Sequence, residues 1–212
     1  MIAVSARRRR QRGNTVLESA LCFLPMMAMF FGIIDVCYAV SIQSLFSQAV
    51  RAGSRFAVTY SANYGATSCA SSQAACVAKV VQDNAVGFLA GTKINSLVVN
   101  YYISNNLTTP VMTCTLTTCT ATGTPVLPYT YTVATTTGTT SMTINYANQP
   151  GNIVEVSIPS YPMLWMVPIK GFSAGSQVTD FSGTKGLGLT LSASAADVLG
   201  GLQVGTNIPP AP

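Results

Sequence analysis

A charge-free apolar stretch close behind a cluster of arginines constrains this chain more than any other feature. The stretch covers residues 19–34, and five arginines lie in residues 7–12. Sixteen helical residues span only about 24 Å, less than the ~30 Å hydrocarbon core of a bilayer. Adding Val16, Leu17 and residues 36–42 gives a full-length span. We therefore predict a transmembrane helix whose arginine-rich end stays in the cytoplasm.

Two acidic residues fall within this predicted span. Glu18 lies near its cytoplasmic end and Asp35 near its other end. A carboxylate at the bilayer centre costs about 2.5–3.5 kcal/mol on insertion scales, and the cost falls towards either interface. An acid inside a membrane segment is therefore a candidate for function. We take Glu18 as the stronger candidate and interpret Asp35 as interfacial and less critical.

The positive charge of the chain comes from its first 13 residues. Of eleven Lys and Arg residues, five lie there, and the other six are matched by six Asp and Glu. Elsewhere the sequence has no basic patch with interleaved aromatic residues, so that nucleic acid is not an expected partner.

The sequence also argues against catalysis. Histidine is absent, which excludes Ser-His-Asp and Cys-His arrangements. The carboxylates of the exported part are scattered, and Gly183-Thr184-Lys185-Gly186 lacks the P-loop spacing. We predict a non-enzymatic protein with no cofactor and no small-molecule substrate.

Apolar periodicity continues beyond the membrane span. Apolar residues recur at helical spacing from Ile42 to Ala57, with polar residues on the other face. We predict one helix over about 16–58, kinked where Pro25 removes a backbone hydrogen bond. A second amphipathic helix is predicted over 71–90, before Gly91.

From residue 94 onward the sequence becomes β-rich. Residues 94–154 contain no charged residue, and residues 108–143 contain seventeen threonines, which favour a half-exposed pleated surface. Strands are predicted over 94–104, 111–117, 128–135, 140–147, 153–158 and 187–191. Pro159–Pro168 is predicted to be a loop.

The predicted fold class is α+β. A long N-terminal transmembrane helix continues into an amphipathic spine, and a β-rich, mainly antiparallel exported domain follows. The expected divisions are a cytoplasmic basic leader (1–13), the transmembrane and amphipathic helix (14–58) and the exported domain (59–212).

Six cysteines divide between these parts. Cys22 and Cys37 fall in the membrane segment, where we interpret them as small apolar residues. The other four lie in the exported part, where disulfides persist, and they allow three pairings. We prefer Cys69–Cys76 and Cys114–Cys119, because each pair closes a short loop. No metal is expected, since histidine is absent and neither spacing is C-x-x-C.

Three interpretations of the N-terminus remain open. A cleavable secretory signal has an apolar region of only about 7–15 residues before a small-x-small site. Here the nearest such site, Ser47-Gln48-Ala49, lies beyond the apolar stretch. An uncleaved signal anchor is the second interpretation. The third is a prepilin leader, indicated by Gly13 with Glu18 five positions later.

The N-terminal sequence resembles the TadE-like family, the pseudopilins of the tight-adherence (Tad/Flp) pilus apparatus. The residues that carry the resemblance are 13–20, Leu24-Pro25, 31–35 and 49–57. The resemblance implies that a prepilin peptidase cuts after Gly13, leaving Asn14 as the new N-terminus and Glu18 as the fifth mature residue.

The same resemblance implies a location and partners. It implies a minor pilin-like component of the bacterial inner membrane, with a cytoplasmic N-terminus and a periplasmic or extracellular C-terminal domain. Expected partners are the membrane, the prepilin peptidase, and other pilins, pseudopilins or pilus assembly proteins. Glu18 of one subunit could pair with the amine freed at Asn14 of a neighbour, or could simply lie at the headgroup level. The alternative function is a membrane-anchored periplasmic or surface binding or adhesion module with an uncleaved anchor.

Overall fold

The computed structural model describes the chain from residue 3 to residue 200 with gaps. The described ranges are 3–61, 63–64, 67–68, 72–116, 118–122, 129–135, 138–144, 147–165, 177–180 and 182–200. The helices are α1 (Ala3–Val58), α2 (Gln73–Asn84) and a 3-10 helix (Gly91–Ser96). The strands are β1 (Asn63–Tyr64), β2 (Thr67–Ser68), β3 (Val98–Tyr102), β4 (Met112–Cys114), β5 (Cys119–Ala121), β6 (Tyr129–Thr135), β7 (Gly138–Ile144), β8 (Ile153–Leu164), β9 (Gln177–Thr179) and β10 (Lys185–Val198).

The part of the chain that follows α1 is built on an antiparallel sheet. Six strands run in the order β5-β4-β3-β8-β10-β9, and every pairing between neighbours is antiparallel. The outer half of α1, by which we mean residues 35–58, packs against β8 and β10. α2 packs against α1. Two further antiparallel pairs, β1-β2 and β6-β7, stand outside this sheet. The fold class is α+β, as predicted.

The outer half of α1 has the two faces that its periodicity predicts. Its buried apolar residues recur every three or four positions and join the main core: Ala39, Ile42, Phe46, Ala49, Val50 and Ala57. The opposite face is exposed: Ser44, Gln48, Arg51 and Arg55. Phe46 stacks edge-on against Tyr161 of β8, with ring centroids 4.8 Å apart. The helix ends at Val58, where the prediction placed its end.

α2 is shorter than the amphipathic pattern predicts. Ser72 begins it by accepting a hydrogen bond from the Ala75 amide at 3.0 Å, which satisfies one of the free N–H groups of the first turn. It ends at Asn84 because Val86 and Gly87 adopt left-handed backbone angles, with φ of 50° and 83°. The start of the strand predicted at residue 94 is occupied by the 3-10 helix, so that β3 begins at Val98.

The predicted loop over Pro159–Pro168 is wrong for its first half. β8 continues through Pro159 and Pro162 and ends at Leu164. β3 pairs only with β8 residues 153–157, so that one side of β8 is open beyond them. The register with β10 also shifts opposite Pro159. An open edge and a bulge are the positions at which a sheet accepts proline.

Buried amide side chains join segments that are distant in sequence. Gln73 donates from Nε2 to the carbonyl of Ala57 at 2.7 Å, and Asn148 donates from Nδ2 to Oε1 of Gln73 at 2.9 Å. Asn152 donates to the carbonyl of Ala147 at 2.9 Å, and its own carbonyl accepts from the Leu199 amide at 2.8 Å. These bonds tie the end of α1, the start of α2 and the end of β10 to the segment 147–152.

A disulfide joins two neighbouring strands. Cys114 of β4 and Cys119 of β5 are bonded to each other and occupy directly opposite positions in the ladder. Cys76 on α2 is also disulfide-bonded. Cys69 lies outside the described residues, so that the Cys69–Cys76 pairing stays a prediction.

Candidate functional site

The inner half of α1, by which we mean residues 16–34, exposes apolar side chains in every direction. The large exposed ones are Val16, Leu17, Leu21, Phe23, Leu24, Met26, Met29, Phe30, Phe31, Ile33 and Ile34. Within the described part of the chain, one helix segment, Val16–Val58, is long and apolar enough to cross a membrane by length and composition. A soluble protein rarely leaves so large an apolar surface in water, which supports membrane anchoring. Cys22 and Cys37 are exposed, unpaired thiols on this helix.

Glu18 lies within this exposed apolar surface. Its side chain is exposed, and it makes no ion pair with a described residue of its own chain. Gly13 and Asn14 lie one turn earlier, within the helical backbone of α1. Glu18 follows Asn14 by four positions, which corresponds to about 6 Å along the helix axis. The carboxylate is therefore available to a group that approaches from outside α1.

Asp35 differs from Glu18 in its surroundings. Only 2 % of its surface is exposed, because it lies on the face of α1 that packs against the domain that follows this helix. Sequence reasoning placed Asp35 near the membrane interface and missed this burial. The sequence spacing indicated this burial, since Asp35 precedes Ala39 by four positions and Ile42 by seven. Both of these residues lie on the buried face of α1. Asp35 is therefore part of the contact between helix and domain.

Residues 51–55 divide between two roles. Arg51 and Arg55 face solvent, whereas Gly53 and Ser54 are buried. Gly53 lies where α1 meets α2: a Cβ atom at this position would come within 2.5 Å of Cγ2 of Val81. The absence of a side chain at Gly53 therefore lets the two helices approach closely.

The similarity of this chain to a known family lies in this same helix. Residues 13–55 match the family model described as TadE-like protein. This N-terminal segment is similar to the TadE-like family. The TadE-like match begins at Gly13 and includes Glu18, Asp35 and Gly53, and it associates the chain with the Tad pilus. No curated protein and no solved structure matches the chain.

The sheet face opposite the helices carries one acidic residue in a hydrogen-bonded cluster. Tyr102 donates its hydroxyl to Oε2 of Glu155 at 2.8 Å, and Asn100 donates to the same oxygen at 3.3 Å. Burial, together with the hydrogen bond to Glu155 and its charge, raises the pKa of Tyr102 to about 12. Among the residues that the structure describes, no group of three or more Cys, Asp or Glu side chains could hold a metal ion. This cluster is a cross-strand contact between β3 and β8.

The Tyr102–Glu155 contact predicts a pH effect. Glu155→Gln should lower the pKa of Tyr102 towards its ordinary value of 10.0, because the neighbouring negative charge is removed. Folded Tyr102 keeps its proton to higher pH than unfolded Tyr102. The stability it contributes is therefore complete below pH 10 and is lost as the pH rises towards 12. The free energy of unfolding should fall more steeply over that range in the wild type than in Glu155→Gln.

NMR titration of the tyrosine Cζ resonances measures this pKa directly. Tyr102→Phe assigns the resonance, since it removes one signal and leaves the others. An unchanged Tyr102 titration in Glu155→Gln would contradict the electrostatic contribution of Glu155.

Proposed function

We propose that this protein is a non-enzymatic, minor pseudopilin-like membrane protein that assists assembly of a Tad/Flp-type pilus. The observation that carries the proposal is the TadE-like match over residues 13–55. These residues lie on a helix whose inner half is exposed and apolar and whose outer half packs against a folded domain. The helix thereby provides a surface for lipid and neighbouring subunits on one side and a fixed domain on the other.

The proposed orientation follows from charge. Residues 1–13 carry five of the eleven basic residues, and positively charged flanks stay in the cytoplasm. Residues 14–58 then cross the bacterial inner membrane and form the spine, and residues 59–212 form the exported domain, periplasmic or extracellular.

Glu18 supplies the proposed assembly contact. Cleavage after Gly13 frees a positive α-amino group at Asn14, close to the boundary of the hydrocarbon core. A neighbour's Glu18 that pairs with this amine offsets the cost of holding a carboxylate in lipid. Such a pair also fixes the axial stagger between two subunits, which packing of apolar helices alone defines poorly.

Processing is the first test of this function. In cells that contain the cognate peptidase, N-terminal sequencing should give a mature chain that begins at Asn14. Gly13→Leu should leave the longer precursor in the membrane, because a bulky side chain blocks access to the bond. Gly32→Leu is the matched control: the space around Gly32 is open, so that this variant should be cleaved normally.

If the wild-type chain in those cells starts at Met1, the result would contradict the proposed function as a pseudopilin. It would favour the alternative, a membrane-anchored binding or adhesion module with an uncleaved anchor. A gene neighbourhood with a secretion ATPase, a prepilin peptidase and a secretin favours the pseudopilin.

A further inference from the structure

The direction of α2 shows which end of the exported domain faces the membrane. At the start of α2, Gln73 donates to the carbonyl of Ala57. Just beyond its end, the ring of Phe88 lies 6.3 Å from that of Tyr38 and 6.4 Å from that of Phe46. α2 therefore runs back along α1 towards the exposed apolar half, and the turn over 85–90 lies on the membrane side of the domain.

Helix geometry brings this turn to the level of the lipid headgroups. Counted from Val16, about 20 residues at ~1.5 Å each cover the ~30 Å hydrocarbon core, which then ends near Val36. The headgroup layer adds roughly 5–7 Å, or four to five residues, and reaches about Ser41. Tyr38 lies within this layer, and Phe88 lies beside it. A tilt of α1 shifts the headgroup layer towards higher residue numbers along the helix, so that the turn over 85–90 lies deeper in the membrane.

Val86, in this turn, presents an apolar side chain at the end of α2. Its φ of 50° is in the left-handed region, which is unfavourable for a β-branched residue. Its side chain is 69 % exposed, so that packing within the protein does not compensate. An exposed valine at this end of the domain is available for contact with lipid.

The sheet brings a tryptophan to the same end. Along β8, Val156 lies near Gly53 of α1 and Tyr161 contacts Phe46, so that the end of β8 points towards the membrane. Trp165, the single tryptophan of the chain, follows β8 and is half-exposed. Tryptophan and tyrosine are the residues enriched at the boundary between lipid and water.

We propose that the exported domain rests on the phospholipid surface of the membrane that α1 crosses, through a patch formed by Tyr38, Val86, Phe88 and Trp165. This interfacial patch gives the domain a second attachment besides α1 and fixes its tilt relative to the membrane. The proposal rests on the membrane crossing of the proposed function and adds a lipid-binding surface on the exported domain.

Trp165 provides the probe. The full chain is reconstituted into phosphatidylcholine–phosphatidylglycerol vesicles, with or without lipid brominated in the upper acyl chain, and iodide serves as the aqueous quencher. Trp165 emission should fall in the brominated vesicles and should be shielded from iodide. The double variant Trp165→Phe/Val86→Trp should behave in the same way.

The matched control is Trp165→Phe/Thr120→Trp. Thr120 is exposed on β5, and the ladder from β5 through β4, β3 and β8 places it level with Glu155, next to Val156 near Gly53. That level is about 15 residues, roughly 22 Å, beyond Tyr38 along α1. Its tryptophan should be quenched by iodide and not by brominated lipid.

Vesicle flotation separates the two possible failures. Protein that does not float with the vesicles is not anchored, which contradicts the proposed function. In the other failure, the protein floats with the vesicles while the tryptophans at 165 and 86 show the same quenching by brominated lipid and by iodide as the Thr120→Trp control. That result overturns the interfacial patch and leaves the anchor intact.

Discussion

Gly53→Ala should destabilise the folded domain that follows α1 by about 1–3 kcal/mol, the range for overpacking in a well-packed interior. The new Cβ would lie 2.5 Å from Cγ2 of Val81, 3.4 Å from Cγ1 of Val77 and 3.5 Å from Cγ1 of Val156. The methyl group is thus enclosed by α2 and β8, so that α1 can make room only by moving away from both. For a chain of this size, each kcal/mol lowers Tm by about 2–4 °C. Thermal unfolding of the full chain in detergent, followed by near-UV circular dichroism, measures the effect.

A double-mutant cycle tests the cause. Val81→Ala removes the atom nearest the new methyl group, so that Gly53→Ala should cost less in the Val81→Ala background than in the wild type. Gly32→Ala is the control, because nothing surrounds its Cβ position and alanine favours helix more than glycine. Equal destabilisation by Gly53→Ala in both backgrounds would contradict a clash between α1 and α2.

Glu18→Gln should leave membrane insertion, leader cleavage and domain stability unchanged and should strongly reduce assembly. The amide keeps nearly the same shape and some hydrogen-bonding capacity but removes the charge that pairs with a neighbour's amine. Co-purification of the mature protein with other pilus components, together with pilus counts on cells, measures assembly. Glu18→Asp keeps the charge on a shorter side chain and should retain part of the function.

The structure changes the choice of control for this experiment. From the sequence, Asp35→Asn is the natural comparison. Asp35 is, however, buried between α1 and the domain that follows it, so that its replacement also disturbs packing. Cys22→Ala is better matched, since Cys22 is exposed one turn from Glu18 and carries no charge. Wild-type assembly by Glu18→Gln would contradict the role of Glu18 as the assembly acid.

The two acids illustrate how α1 combines two environments. Around Glu18 the helix is exposed on all sides, which leaves its surface free for lipid or other helices. From Asp35 onward one face is committed to the domain. A change near Glu18 should therefore act on association between molecules, and a change from Asp35 to Gly53 should act on the attachment of the domain.

Local sequence alone determined the end of α1 and its faces, although α1 begins at Ala3 and not near the predicted residue 16. The length of the apolar run and the helical spacing from Ile42 to Ala57 are properties of neighbouring residues, and the structure reproduces both. The hairpin between β6 and β7 also joins adjacent segments, and the sequence located both of its strands to within a few residues. The strand predicted over 111–117 instead ends at Cys114, and the sequence did not predict β5.

Only the tertiary structure decided features that depend on distant partners. Pro159 and Pro162 lie in a strand because β3 stops pairing with β8 before them. Gln73 is buried because amide and carbonyl groups from two other segments satisfy it. The need for glycine at Gly53 arises from a valine 28 positions later on α2. Periodicity records which residues share a face, but not which atoms that face will meet, and the energy of burial depends on those atoms.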